Sequence, residues 1–223
     1  MRCLLRRCLW MGFSAALAIP VCLPAGQEPT VPAPSQPSDG STTENKAGVW
    51  LDVPYVKQTE EGCGSASLAM LLQYWAAHGA DIPAERSDAD AIQKKLYNEK
   101  AHGIYASDME RYMKESDFRA FTVRGEWKDF RENLPLGRPL IVSLQPEKNK
   151  GPYHYVVVTG MDWDHEAVFV NDPARGKLMR IERADFEKEW QAVGNWMLLA
   201  VVATSMLGFG EVWFRVTPVN SQH

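Results

Sequence analysis

Residues 62–79, GCGSASLAMLLQYWAAHG, constrain this chain more than any other stretch. Good helix formers dominate the run, its apolar positions surround the helix rather than forming one stripe, and Gly79 marks its end. A helix that is apolar all round has no face to turn to water, so it must be buried inside a fold. With 223 residues, 45% hydrophobic and 23% charged, the chain has the size and composition of one ordinary globular domain plus accessory segments. Two full domains would be a squeeze. The formal net charge of -4 does not point to a basic surface for nucleic acid. Neither G-x-x-x-x-G-K-[ST] nor G-x-G-x-x-G occurs, which argues against phosphate-loop or dinucleotide chemistry.

Around the buried helix the texture divides in two. Ser87 with Asp90, and Ser107 with Glu110, read as capping boxes ahead of two amphipathic runs, so the first half is expected to be helical. After Phe118 come FRAFTV, then PLIVSL at 139–144, YHYVVVTG at 153–160, AVFVND at 167–172, KLMRI at 177–181 and NWMLLAVV at 195–202. These are short, β-branched or aromatic, and punctuated by Gly, Pro, Asn and Asp, the pattern of strands. Two short helices are expected near Trp127–Leu134 and Arg183–Trp190. Helices first and strands second predict an α+β domain with a mainly antiparallel sheet. Val193–Gly210 is uncharged over eighteen residues and competes as a membrane span. Its Asn195, Trp196, Thr204, Ser205 and glycines fit a last core strand and a turn better.

The N-terminus reads as an address. Arg2, Arg6 and Arg7 precede an uncharged stretch from Cys8 to Gly26, the order of a secretory leader, with Cys22 as a candidate lipidation site. Residues 27–47 are rich in Pro, Ser and Thr, too poor in apolar groups to offset ordering entropy, and read as a disordered linker. The expected organisation is leader 1–26, linker 27–47, folded domain 48–204 and tail 205–223. It implies an extracytoplasmic protein, either periplasmic or secreted, or else anchored to the membrane as a lipoprotein through the leader. Cys3, Cys8 and Cys22 fall in the leader, so Cys63 is the single thiol of the mature chain and cannot enter an internal disulfide. An unpaired cysteine in an oxidising compartment calls for burial or use.

Position favours use. Cys63 lies at the first turn of the buried helix, where unpaired N–H groups and the positive end of the helix dipole stabilise a thiolate. Gly62 and Gly64 on either side suggest a surface that a substrate backbone can approach. His154 heads the apolar strand HYVVVTG, while His78, His102, His165 and His223 fall at a helix end, in polar loops or at the terminus. Asp172 ends the next strand, and antiparallel pairing brings the start of one strand beside the end of the other. Taken together, Cys63 would attack an acyl carbon, His154 would take and return the proton, and Asp172 would hold the ring. Gln58, five positions before Cys63, could turn back as an oxyanion donor.

The string VPYVKQTEEGCGSASLAMLLQYW, followed by HYVVVTG and NDPARG, resembles cysteine peptidase family 39, the bacteriocin-processing type with a papain-like fold, over about residues 50–203. The resemblance implies Cys63 as nucleophile, His154 as general base, Asp172 as orienting residue and Gln58 as oxyanion-hole glutamine. Better-known members of that family are fused to an ABC transporter and cut leader peptides after two glycines in the cytoplasm. This chain has no ATPase motif and begins with an export leader, so it is similar to stand-alone, extracytoplasmic relatives and double-glycine specificity is not carried over. The expected function is hydrolysis of peptide bonds in a bacterial cell envelope. The alternatives are an inactive papain-like domain that binds peptides, or a thiol enzyme that passes the acyl group to another acceptor. No cofactor is expected, and DWDHE at 162–166 lacks the glycine and further oxygen ligands of a calcium loop. Glu60 and Glu61 beside the nucleophile read first as solvated charges, and second as a preference for basic side chains.

Overall fold

The computed structural model describes residues 47–146 and 153–203. The expected leader, the expected linker before Ala47, and the expected tail lie outside the described residues. In chain order the elements are β1 (Gly48–Trp50), α1 (Cys63–Ala77), α2 (Ala89–Leu96), α3 (Ala106–Lys114), β2 (Phe118–Arg124), α4 (Trp127–Asn133), β3 (Leu140–Leu144), β4 (His154–Asp162), β5 (Ala167–Asp172), β6 (Gly176–Glu182), α5 (Arg183–Gln191) and β7 (Trp196–Val202). Among the described residues the strands form one antiparallel sheet ordered β2-β7-β3-β4-β5-β6, and β1 pairs with the far end of β4. The domain is α+β, as the division of texture along the sequence predicts, and papain-like, as the family resemblance implies.

Alternation along the strands decides the layers. Ile141, Tyr155, Val157, Leu198 and Ala200 join the cluster under α1, α2 and α3, which includes Leu68, Leu71, Met109 and Met113. Their neighbours Leu140, Val142, Val156, Val158, Met197 and Leu199 turn to the other face, against Trp127, Phe130, Phe186 and Trp190 of α4 and α5. A sheet buried on both faces needs apolar residues at successive positions, which explains why HYVVV and MLLAV read as continuous runs. From Gly64 to Leu72 every residue of α1 is buried, as its all-round apolar pattern demands.

Two helix starts differ from the expected ones. The N-cap of α2 is Asp88, whose Oδ1 accepts the Ala91 N–H at 2.8 Å, while the Ser87 hydroxyl donates back to the Ala84 carbonyl. An aspartate one residue later makes the same bond with a charged acceptor and wins. α3 begins at Ala106, after Tyr105 and without a side-chain cap, so Ser107 sits inside its first turn. The strand β1 has no counterpart in the sequence reading, because three residues are too few to show a period. Residues 196–202 of the uncharged C-terminal run are a strand, and among the described residues no helix is long and apolar enough to cross a membrane.

Candidate active site

Cys63 is the first residue of α1, half-buried, and unbonded to any other cysteine. As the opening residue it has no intrahelical partner for its N–H, and no acidic side chain in the first turn competes for the exposed donors. The glycines beside it do not open the helix start to substrate, as their position suggested. Both are buried, and each is required by internal packing. A Cβ on Gly62 would lie 2.9 Å from Thr59 Oγ1, and one on Gly64 would lie 3.2 Å from Ile104 Cβ and 3.5 Å from Tyr155 Cδ2. Gly64 thus lets α1 settle onto the start of β4, where the Ser67 hydroxyl donates to the Tyr155 carbonyl at 3.2 Å.

That close docking sets the Cys63 sulfur against the residue at the head of β4. His154 hydrogen-bonds through its ring to both Cys63 and Asp172. Nε2 meets Asp172 Oδ1 at 2.8 Å, leaving Nδ1 for the sulfur, and the two side chains are 16% and 4% exposed. The register explains the meeting: Val157 pairs with Asn171, so the first residue of β4 and the last of β5 fall at the same end of the sheet. Asp172 Oδ1 also accepts the N–H groups of Ala174 at 2.9 Å and Arg175 at 3.2 Å. Burial pushes the Asp172 carboxyl up, but the hydrogen bond and charge of His154, with those two N–H groups, hold it below the ordinary value. Burial is likewise the largest influence on His154 and disfavours its charged form. Hydrogen bonds and charge from Asp172 and Cys63 together outweigh it and push the ring up to about 9. Burial first, and the Cys63 charge second, push the Tyr155 phenol upward as well.

Gln58 lies in the segment that leads from β1 to α1. Its backbone N–H donates to the Pro173 carbonyl at 3.0 Å, and its side-chain Oε1 is buried with no hydrogen-bond partner among the described residues. The structure therefore brings Cys63, His154 and Asp172 into one hydrogen-bonded row and fixes the Gln58 backbone to the turn that follows Asp172. Sequence reasoning missed the groups that do the fixing. The Tyr55 hydroxyl points to the carbonyls of Asp172 and Pro173, both at 3.2 Å, and buried Asn171 donates to the Val53 carbonyl at 3.1 Å. The signal was present, since VPY and NDP flank the two loops, but neither Tyr55 nor Asn171 carries chemistry that a search for reactive groups would select.

The acidic pair also reads differently in three dimensions. Glu61 has a left-handed backbone (φ 54°), and its carboxylate accepts from the Tyr97 hydroxyl and pairs with His102 Nδ1 at 2.9 Å. The Tyr97 hydrogen bond, and His102 after it, hold the Glu61 carboxyl below its usual value. This carboxylate ties the turn before Cys63 to the α2–α3 connection and is already engaged, so a preference for basic substrates gains nothing from it. The other described histidines are accounted for: His78 Nδ1 meets the Tyr74 carbonyl and His165 pairs with Asp162. Asp162 spends its other contacts on the N–H groups of Asp164 and His165, as in an Asx turn. Among the described residues no cluster of three or more His, Cys, Asp or Glu side chains is arranged to hold a metal ion.

Comparison with known proteins speaks for the family and the fold. The family model described as "Peptidase_C39 like family" matches residues 50–197. A putative C39-like peptidase from Bacillus anthracis superposes with a TM-score of 0.54 at 20% identity, covering 69% of this chain and 97% of that one. A double glycine motif protease from an AMS/PCAT transporter, solved with its leader peptide, gives a TM-score of 0.51 at 21% identity, over 68% and 93%. The peptidase domain of the Streptococcus bi-functional ABC transporter ComA gives 0.51 at 22%, over 66% and 97%. No curated protein matches. At these identities the solved structures speak for the fold, and the family model, spanning β1 to β7, speaks for kinship: the chain belongs to the Peptidase_C39 like family and is a cysteine peptidase.

Proposed function

We propose that Cys63, His154, Asp172 and Gln58 are the catalytic groups of a peptidase that hydrolyses peptide bonds in the cell envelope through a thioester. The observation that carries this reading is the His154 ring bridging Cys63 and Asp172. With the ring pushed up to about 9, the imidazolium is available at neutral pH to hold a thiolate beside it. The Cys63 sulfur attacks the scissile carbonyl carbon, and the oxygen that becomes negative accepts from the Cys63 N–H and the Gln58 amide. Loss of one such donor typically costs about 100- to 1000-fold in rate. As the tetrahedral adduct collapses, His154 passes its proton to the departing amine and a thioester remains. His154 then removes a proton from water, the hydroxide attacks the thioester, the carboxylic acid departs, and thiolate and imidazolium are restored. Asp172 stays ionised and keeps Nδ1 aimed at sulfur.

The leader-like N-terminus supports an extracytoplasmic site of action, and the leader peptide bound to the AMS/PCAT neighbour supports a peptide as substrate. Iodoacetamide should alkylate Cys63 rapidly near neutral pH, and His154→Ala should remove that advantage. Alkylation at the rate of a free model thiol in both proteins would overturn the reading. The substrate is sought by mass spectrometry of envelope peptides treated with the wild type and with Cys63→Ala.

A further inference from the structure

The segment between β1 and α1 is held to the turn after β5 by four hydrogen bonds within three residues of that turn. Asn171 Nδ2 donates to Val53 O at 3.1 Å, Tyr55 Oη is 3.2 Å from the carbonyl oxygens of both Asp172 and Pro173, and Gln58 N donates to Pro173 O at 3.0 Å. The Pro173 carbonyl accepts from Tyr55 and from the Gln58 backbone together, one bond for each lone pair. Asn171 is fully buried, and its other amide atom, Oδ1, accepts the Leu178 N–H at 3.0 Å, so its orientation is determined from both ends. The Tyr55 phenol is raised by burial and by the nearby Asp172 charge, and so remains a protonated donor.

We infer that Tyr55 is a positioning residue for the oxyanion donor: shared anchoring at the Pro173 carbonyl sets where the Gln58 amide stands relative to Cys63. The inference rests on the proposed role of Gln58. All four contacts, two of them shared by the one Tyr55 hydroxyl, are formed before any substrate arrives. The Gln58 side chain, whose Oε1 has no protein partner among the described residues, is positioned by its backbone rather than by bonds of its own. A donor aimed in advance stabilises developing charge without reorganising, and small misplacements are costly. Asp172 belongs to the same turn, yet its carboxylate is independently fixed by His154, Ala174 N–H and Arg175 N–H. Loss of the Tyr55 hydroxyl should therefore fall on the oxyanion donor and spare the thiolate–imidazolium pair.

Two probes of one sulfur separate these effects. Iodoacetamide alkylates the thiolate by displacement of iodide at carbon, with no oxyanion formed. p-Nitrophenyl acetate acylates it through a tetrahedral oxyanion and releases p-nitrophenolate. In the full chain, with both modifications followed at Cys63 by peptide mass spectrometry so that Cys3, Cys8 and Cys22 do not contribute, Tyr55→Phe should lower the acylation rate constant about tenfold, leaving the alkylation rate and its pH profile within twofold. Gln58→Ala should lower acylation about 100-fold with alkylation equally spared, and Tyr55→Phe added to Gln58→Ala should cost acylation nothing more. Equal loss of both rates in Tyr55→Phe, unchanged acylation, or full additivity in the double variant would overturn the role of Tyr55. Failure of Gln58→Ala to slow acylation would instead overturn the Gln58 assignment itself.

Discussion

The two faces of the sheet are packed by different means and serve different ends. Under α4 and α5, Trp127, Phe130, Phe186 and Trp190 meet at ring-centroid separations of 5.1 to 6.1 Å, mostly edge to face or tilted. Trp190 Nε1 also donates to the Trp196 carbonyl at 2.9 Å, whereas Trp127 Nε1 is buried with no hydrogen-bond partner among the described residues. Under α1 the core is mainly aliphatic and methionine, and at its edge sits Cys63 with its row of hydrogen-bonded partners. Rigid aromatic contacts supply stability on one side. On the other, a helix whose first residue, Cys63, stands half-buried at the edge of the core is held by small contacts: Gly64 against Ile104 and Tyr155, Ser67 on the Tyr155 carbonyl, Glu61 on Tyr97 and His102. One layer can therefore be damaged with its effect confined largely to stability, the other with its effect confined largely to chemistry.

The sharpest break in that contrast is Cys63→Ala. Removing a nucleophile costs on the order of 10⁶-fold in turnover, while a half-buried Cys→Ala change costs under about 1 kcal/mol. Cleavage of envelope peptides should vanish while the urea unfolding midpoint barely moves. Trp190→Ala does the reverse: emptying its site should cost about 3–5 kcal/mol in chemical denaturation. Alkylation of Cys63 per folded molecule should stay within about twofold, since the change is remote from the site. A third test lies in pH. The charged form of His154 contributes its stabilisation fully below about 6.5 and loses it as pH rises through about 9. The Asp172 carboxylate contributes above its ordinary range near 4 and loses its contribution as pH falls through its lowered value. The alkaline limb of ester-hydrolysis kcat/KM should therefore lie near 9, and Asp172→Asn, lacking the charge that supports the imidazolium, should move that limb to lower pH. An unmoved limb would separate Asp172 from the titration.

The smallest effects come from one substitution made on each face. A Cβ at Gly125 would stand 2.5 Å from Trp190 Cζ2, and one at Gly64 would stand 3.2 Å from Ile104 Cβ. Gly125→Ala should cost about 2 kcal/mol, with alkylation unchanged. Gly64→Ala should cost about 1 kcal/mol yet slow alkylation about fivefold, because α1 must shift against the start of β4 and carries Cys63 with it. Equal effects of the two changes on alkylation would remove the distinction between the faces.

Much of this was legible along the chain. The strand from Ala167 to Asp172 was readable residue for residue, because β-branched residues ended by Asn-Asp-Pro leave little choice of boundary. Cys63, His154 and Asp172 were each readable from type and position, since a thiol at a helix start and a histidine heading an apolar strand are local patterns. Gln58 was readable as a residue, but its fixed place was not. What holds it is a bond to Pro173, 115 positions away in the sequence, together with two anchors, Tyr55 and Asn171, that look like core residues. The glycines beside Cys63 were seen but misread, because whether a missing side chain faces substrate or the core depends on what is packed above it.

The sequence by itself determined that a helix apolar on every side would be buried, that the second half would form a mainly antiparallel sheet, and that one thiol would stand at the helix start. Propensity and period are properties of neighbours in the chain, so these outcomes are written locally. Only the tertiary structure decided that the His154 ring lies between the sulfur and Asp172, that Glu61 is engaged rather than offered to substrate, and that Gln58 and Asp172 share one turn as anchor. Those outcomes depend on the antiparallel register of β4 and β5 and on the close docking of α1. Long-range packing sets both, and no local pattern in the sequence encodes a distance across the fold.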